Sequence, residues 1–291
     1  MIHRRTPCEI SYGSGLPLLS DKNQFPSFVR TNPSTNQVPY VLAQLVNHFR
    51  WTWVGILGSY TDYGLHGIKE LKKEFSRNNV CVAFLETVRT DGSRSRILST
   101  VRTIKESTAK VVIVYAFALE VIPIMEELVA QGVIGKIWIT SLGLMGSPLF
   151  FRQDFWNLLN GTIGPGIHAK EIPLFKKFQY QNHPFNSSEN IFIKPFWEQV
   201  FRCKWADLLT QANEMYRNDS EIAACTGQEQ LDMLPTSVYD GNNLRFSYTT
   251  YNAVYVFAHA IHNLLHCDST NNKCSGLQDL QLWQVREIMF S

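Results

Sequence analysis

Between residues 51 and 167 the chain alternates apolar runs with amphipathic ones. The run "WTWVGIL" (51–57) predicts a strand that stops at Gly58. After the loop "GSYTDYGLHG", the segment "IKELKKEFSRN" predicts a helix, with Ile68, Leu71 and Phe75 on one face and charges on the other. "VCVAFLETV" (80–88) predicts a second strand. "SRSRILSTVRTIKES" predicts a helix, with Ile97, Leu98, Val101 and Ile104 at helical spacing. "KVVIVYAFA" (110–118) is a fully apolar strand, and "EVIPIMEELVAQG" is a helix closed by Gly132. "GKIWITS" (135–141) and "GTIGPGI" (161–167) read as further strands. Strands without polar alternation, separated by helices, predict an α/β fold with a parallel sheet covered on both faces.

Beyond residue 169 the pattern weakens. One helix is predicted near 194–203, and residues 204–240 read as a long loop. A loop of that length in a compact domain is normally functional or tied down, and Cys203 and Cys225 are candidates to tie it. "YTTYNAVYVFAHAIHNLLHC" (248–267) predicts a strong amphipathic helix, with Tyr251, Val254, Tyr255, Ala258 and Leu265 on one face. "LQDLQLWQVREIMFS" at the end is helical in pattern. There is no internal repeat and no low-complexity tract.

Composition adds three points. The 291 residues suffice for two domains, and 45% hydrophobic residues suffice for a sizeable core. A net charge of +2 without a long basic run gives no sign of a nucleic-acid partner. None of the six cysteines forms a Cys-x-x-Cys pair, which argues against a zinc ribbon or a thioredoxin-type redox site. Cys267 and Cys274 bracket a polar loop and read as a small disulfide clip. Three sequons, at Asn160, Asn186 and Asn218, join the cysteines in favouring an oxidising, extracellular compartment. "MIHRRTPCEISYG" does not read as a secretion signal, and no window approaches the ~20 apolar residues of a membrane-spanning helix.

Catalytic readings fare poorly. Tyr12-Gly13-Ser14-Gly15 misses the nucleophile elbow because tyrosine stands where the first glycine is needed. No phosphate loop or dinucleotide fingerprint is present. His259, His262 and His266 share one helix but lack the glutamate a zinc peptidase needs between them, so they read as ordinary surface histidines. The loops after the first and fourth strands, "GSYTDYG" (58–64) and "SLGLMGS" (141–147), are rich in small residues and hydroxyls. Ligands of open α/β sheets bind beside such loops. With Asp62 as the main acid and no lysine or arginine, they suit a small polar ligand held by hydrogen bonds rather than proton-transfer chemistry. Asp62 as a helix cap and Tyr63 as a packing residue is the competing reading.

The segments "ISYGSGLPLLSDKNQFPSFVRT", "HFRWTWVGIL", "TDYG", "STAKVVIVYA", "GKIWITS", "NGTIGPGI", "FWEQVFRC" and "YNAVYVFAHAIHNLLHC" resemble one family across nearly the whole chain, in that family's order. It is the extracellular Venus-flytrap ligand-binding domain of class C G-protein-coupled receptors, on the branch of the calcium-sensing and vomeronasal type 2 (pheromone) receptors. The resemblance implies a bilobed, periplasmic-binding-protein-like α/β fold, each lobe a parallel sheet flanked by helices. Residues 1–31 and 169–291 would belong to an incomplete first lobe, and 32–168 would form the second. A small-molecule or peptide ligand would close the cleft between them, without catalysis or cofactor. The resemblance also implies a homo- or heterodimer of ectodomains on the outer face of the plasma membrane. The signal peptide, cysteine-rich linker and transmembrane helices that reach a G protein would lie outside this chain. Cys203 with Cys225 and Cys267 with Cys274 match family disulfides, and Cys81 matches a cysteine whose partner lies in the linker. Cys8 has no family partner.

Carried over position by position, the amino-acid grip of the family falls on Gly13-Ser14-Gly15, Thr35, Tyr63, Ser141 and Leu142. The turn has lost a hydroxyl at Gly15. Two acids that face the ligand ammonium in amino-acid-binding members fall at Thr35 and Leu142. A buried ammonium without a carboxylate forfeits roughly 1.5–3 kcal/mol. The expected ligand is therefore a peptide or another molecule held by other contacts, which favours the vomeronasal branch. The alternatives are a calcium-sensing-receptor-like sensor of amino acids or cations, and a free-standing amino-acid-binding protein.

Overall fold

A computed structural model describes residues 9–90, 92–145, 147, 150, 153–186, 189–205, 223–235 and 238–265. The chain divides into two compact units, residues 1–170 with 244–291, and residues 171–243.

The larger unit is built on four parallel strands: β3 (Trp53–Ser59), β4 (Cys81–Val88), β5 (Val111–Tyr115) and β6 (Ile137–Thr140), in the order β4-β3-β5-β6. The short strands β1 (Glu9–Ser11) and β2 (Phe28–Arg30) form a separate parallel pair. Strands β3, β5 and β6 bury successive residues on opposite faces. On β5, Val112 and Val114 join Leu57, Trp138 and Leu144 in one core under helices α3 (Arg94–Glu106) and α4 (Ala118–Ala130). Val111, Ile113 and Tyr115 join Val54, Ile56 and Ile139 in a second core under α1 (Gln37–His48) and α2 (Asp62–Arg77). Burial on both faces is why β3, β5 and β6 lack polar alternation, whereas the edge strand β4 is mostly half-buried; each buried Leu, Ile or Phe contributes about 1.5–3 kcal/mol. Parallel strands flanked by helices are the α/β architecture expected from the pattern.

Helix α2 starts where Thr61 caps it, its side chain accepting from the Gly64 N–H at 3.5 Å, and Asp62 and Arg77 complement the helix dipole at its two ends. Helix α4 begins with Glu120 reaching back to the Phe117 N–H at 2.9 Å, and ends before Gly132 at φ 62°, the left-handed cap its glycine permits. Arg94 at the start of α3 pairs with Glu127 of α4 at 2.6 Å.

Several expectations need correction. Residues 161–167 do not form a strand; only Ile163 bridges Ile139, because three glycines and Pro165 cannot sustain a ladder. The strand read over 110–118 ends at Tyr115, and Phe117 opens α4 instead. Helix α1 has no counterpart in the sequence expectation. Two short helices follow β6, α5 (Leu142–Met145) and α6 (Trp156–Leu159).

In the smaller unit, α7 (Phe175–Gln181) precedes α8 (Ile193–Phe201), which matches the helix expected near 194–203. Cys203 and Cys225 are disulfide-bonded; Cys203 opens the two-residue strand β7 (Cys203–Lys204), and Cys225 directly follows its partner strand β8 (Ala223–Ala224). Trp197, Cys203, Trp205 and Leu231 form a compact core there. Burial alone would raise the Glu229 carboxyl, but hydrogen bonds from Trp197 Nε1, the Thr226 N–H and hydroxyl, and the Gly227 N–H hold it down at about 2.

Helix α9 (Arg245–Leu264) returns to the larger unit, where Arg245 donates to the Met145 carbonyl and the Thr249 carbonyl accepts from the Thr31 hydroxyl at 2.7 Å. Its buried stripe is Thr249, Ala253 and Ala260, not the expected face: Val254, Tyr255 and Ala258 are exposed. Small residues let the helix lie close to its neighbours, so they, rather than the bulky ones, mark the packed side. The pair Cys267–Cys274, Cys8, Asn218 and the terminal helical pattern lie outside the described residues.

Candidate ligand site

The expected site residues fall into two groups. The first is the turn Gly13-Ser14-Gly15 with Thr35. Its amides are gathered by Ser11, whose Oγ accepts from the Gly13 and Ser14 N–H groups at 3.4 and 2.9 Å. Its carbonyls are gathered from the other side. Asn32 Nδ2 donates to Gly13 at 3.2 Å, Arg30 donates to Ser14 at 3.2 Å and Leu16 at 3.1 Å, and Thr35 donates to Gly15 through both N–H and hydroxyl, at 2.8 and 2.9 Å. Arg30 also bonds the Ser20 hydroxyl, and burial lowers its pKa. The turn is thus rigid before any ligand arrives. Gly13 and Ser14 are exposed, and a Cβ on Gly13 meets nothing within 4 Å. Gly15 is different: a Cβ there lies 2.6 Å from Thr35 Cγ2, so the threonine methyl fills the space a side chain would need.

The second group is Tyr63, Ser141 and Leu142. The strand order places a topological switch between β3 and β5, because the chain moves from β3 out to β4 and returns on the other side to β5. The carboxyl edge at such a switch is where α/β sheets open a crevice. Tyr63 sits on the first turn of α2 there. Its ring lies 4.8 Å from both Tyr115 and Phe117. Ser141 is fully buried just after β6, and Leu142 packs half-buried against the same core. The Tyr63 hydroxyl is sealed from solvent beside Ser141, Gly143 and Tyr115, yet neither it nor the Ser141 hydroxyl closes a hydrogen bond of full geometry. Burial raises the Tyr63 phenol, and the neighbouring Ser141 and Gly143 partly offset this; burial and Tyr63 together raise Tyr115. Among the described residues no hydrogen bond joins the two groups.

Three contributors escaped the sequence reading. Arg30 and Asn32 hold the turn, and nothing in their local pattern marks them. Phe117 was read as part of a strand, yet it is 45% exposed and lies against Tyr63. A Cβ on Gly143 would meet the Phe117 ring at 3.1 Å, so the glycine is what admits it. Beneath it, Glu120 is 6% exposed and takes the Ser59 hydroxyl at 2.6 Å as well as the Phe117 N–H. Asp62 is exposed at the start of α2 and caps nothing itself, since Thr61 is the cap.

The remaining expectations concern the surface. Asn160 and Asn186 are exposed, as sugar attachment requires, and so is Cys81, which is free. His259 and His262 are exposed. Among the described residues no group of three His, Cys, Asp or Glu is arranged to hold a metal, and no helix is long and apolar enough to cross a membrane.

A parallel sheet with a hydroxyl-rich, uncharged carboxyl edge is the framework of a ligand-binding domain, and comparison with known proteins agrees. The family described as "Receptor family ligand binding region" matches residues 8–289, and the chain belongs to it. More particularly, it is 33% identical to the extracellular calcium-sensing receptors of mouse and human, over 95% of its own length. It is 28% identical to the gorilla taste receptor type 1 member 2, over 96% of its length. The chain spans 28% of those calcium-sensing receptors and 31% of that taste receptor. The receptor family read from the sequence is therefore correct.

Proposed function

We propose that the chain is the extracellular ligand-binding region of a class C G-protein-coupled chemosensory receptor of the vomeronasal type 2 kind. Residues 1–31 and 169–291 form one lobe and 32–168 the other. The ligand lies between the turn Gly13-Ser14-Gly15 with Thr35 on one side and Tyr63, Ser141 and Leu142 on the other. Closure of the lobes rearranges a dimer of ectodomains at the outer face of the plasma membrane and reaches a G protein through a transmembrane domain. No step is catalytic. Sugars at Asn160, Asn186 and Asn218 and a Cys267–Cys274 bridge belong to the same reading.

The observation that carries the chemosensory reading is the neutral pair at Thr35 and Leu142. Thr35 spends its hydroxyl on the Gly15 carbonyl, and Leu142 packs into the core. Neither meets an ammonium with charge, so free amino acids lose a charge-assisted hydrogen bond. The second reading, a calcium-sensing-receptor-like sensor of amino acids or cations, is favoured by the 33% identity to receptors of that name. One substitution separates the two. Leu142→Glu restores an acid at the edge of the sheet, and calorimetric titration with L-phenylalanine should then show affinity raised by about tenfold or more. Tight binding to the unmodified chain, with no gain from Leu142→Glu, favours the second reading.

A further inference from the structure

The proposed site has an aromatic floor that belongs to this chain. Phe117 stands at the start of α4, at the switch between β3 and β5, and lays its ring across Gly143 and against Tyr63 at 4.8 Å. The Tyr63 ring is therefore covered on one side by Tyr115 and contacted by Phe117, while Phe117 keeps 45% of its surface exposed. The Tyr63 and Ser141 hydroxyls are sealed from solvent beside each other, so the part of this cluster open to a ligand is the Phe117 ring.

The acid buried beneath the ring is engaged. Glu120 lies under the Phe117 backbone, buried, with Ser59 and the Phe117 N–H on its two oxygens. Arg89 lies 3.8 Å over the ring of Tyr60, after β3. Asp62 is exposed on α2, and Leu142 supplies only hydrocarbon. What the edge offers a ligand is one half-exposed aromatic face and one aliphatic side chain.

Resting on the reading of this edge as the ligand site, we infer that Phe117 is its specificity-determining aromatic, and that the site selects an uncharged ligand with an apolar or aromatic group. A peptide segment has that chemistry and a free amino acid does not. An aromatic group of the ligand stacks on the exposed face of Phe117. A zwitterion there would strand its ammonium beside Leu142.

The test is calorimetric titration of the 291-residue chain, secreted with its disulfides formed, using N-acetyl-L-phenylalaninamide and L-phenylalanine. The uncharged probe should bind, and more tightly by about tenfold or more. Phe117→Ala should weaken that binding by about tenfold, and Phe117→Leu, which keeps an apolar group and guards against misfolding, should lie between. Circular dichroism checks that each variant is folded. Equal or tighter binding of phenylalanine overturns the inference, and so does failure of both probes to bind. If Glu120→Gln abolishes phenylalanine binding, the buried acid has taken over the anionic role and the inference is wrong. Unchanged affinity in Phe117→Ala also overturns it. In that case Leu142→Arg separates the two levels: loss of binding keeps the site reading and removes only the role of Phe117, whereas binding indifferent to both substitutions removes the site reading itself.

Discussion

Gly15 and Thr35 belong together although twenty positions part them. Thr35 closes on the Gly15 carbonyl with two hydrogen bonds and fills the space above its α-carbon. A missing hydroxyl and a missing acid thus become one steric unit: neither is restored without disturbing the other. Gly15→Ala should destabilise the chain by about 1–3 kcal/mol through overpacking. Thr35→Ser removes the obstructing methyl and keeps the hydroxyl, so the double variant should recover most of that loss. Urea denaturation of the wild type, both singles and the double variant gives the coupling directly. Strictly additive losses would show that the two residues do not interlock.

At the scale of elements, Glu120 links two of them. It caps α4 through the Phe117 N–H and binds the Ser59 hydroxyl at the end of β3, from which Thr61 at the start of α2 lies one hydrogen bond away, at 2.7 Å. A single side chain therefore ties the starts of α2 and α4 across the switch in the sheet. Glu120→Ala removes the cap and leaves a buried hydroxyl with one partner fewer, and should cost about 1–3 kcal/mol. Thermal unfolding followed by circular dichroism reads this, and a loss below a few tenths would show that solvent replaces the cap. The same tie sets where Phe117 stands, so the substitution should also loosen the aromatic floor.

In the whole molecule the two units are held by different means. The larger has two wide apolar cores on a parallel sheet. Among the described residues of the smaller, one cluster of Trp197, Trp205 and Leu231 packs around the disulfide at Cys203. Small cores rely on covalent ties, because little surface is left to bury. Replacing Cys203 and Cys225 together by serine should lower the stability of residues 171–243 by about 3 kcal/mol, from the entropy the open loop regains. Hydrogen exchange resolves the two units. Protection lost from α8 and retained in β3 and β5 is the expected result, and equal loss everywhere would contradict the separate accounting.

The residues that escaped the sequence reading did so for physical reasons. Helix α1 is amphipathic, with Val38, Leu42 and Val46 buried, but a short helix with a proline in its first turn gives a weak pattern. Phe117 follows six consecutive buried apolar residues, and nothing local tells where an apolar run changes from strand to helix start. The stripe that α9 buries is made of its smallest residues, which hydrophobicity ranks low. Arg30 and Asn32 act on backbone carbonyls fourteen to nineteen residues away.

By itself the sequence determined the alternation of strands and helices, the parallel sheet and the family, because continuous apolar runs and motif order are local properties written along the chain. It also carried the neutral residues at Thr35 and Leu142. Only the tertiary structure decided how those positions are used. It locked Gly15 against Thr35, drew Phe117 onto Tyr63 through the space at Gly143, and buried Glu120 under both. Each of these depends on a contact between segments that the sheet brings together, and no periodicity within a segment encodes a contact with another.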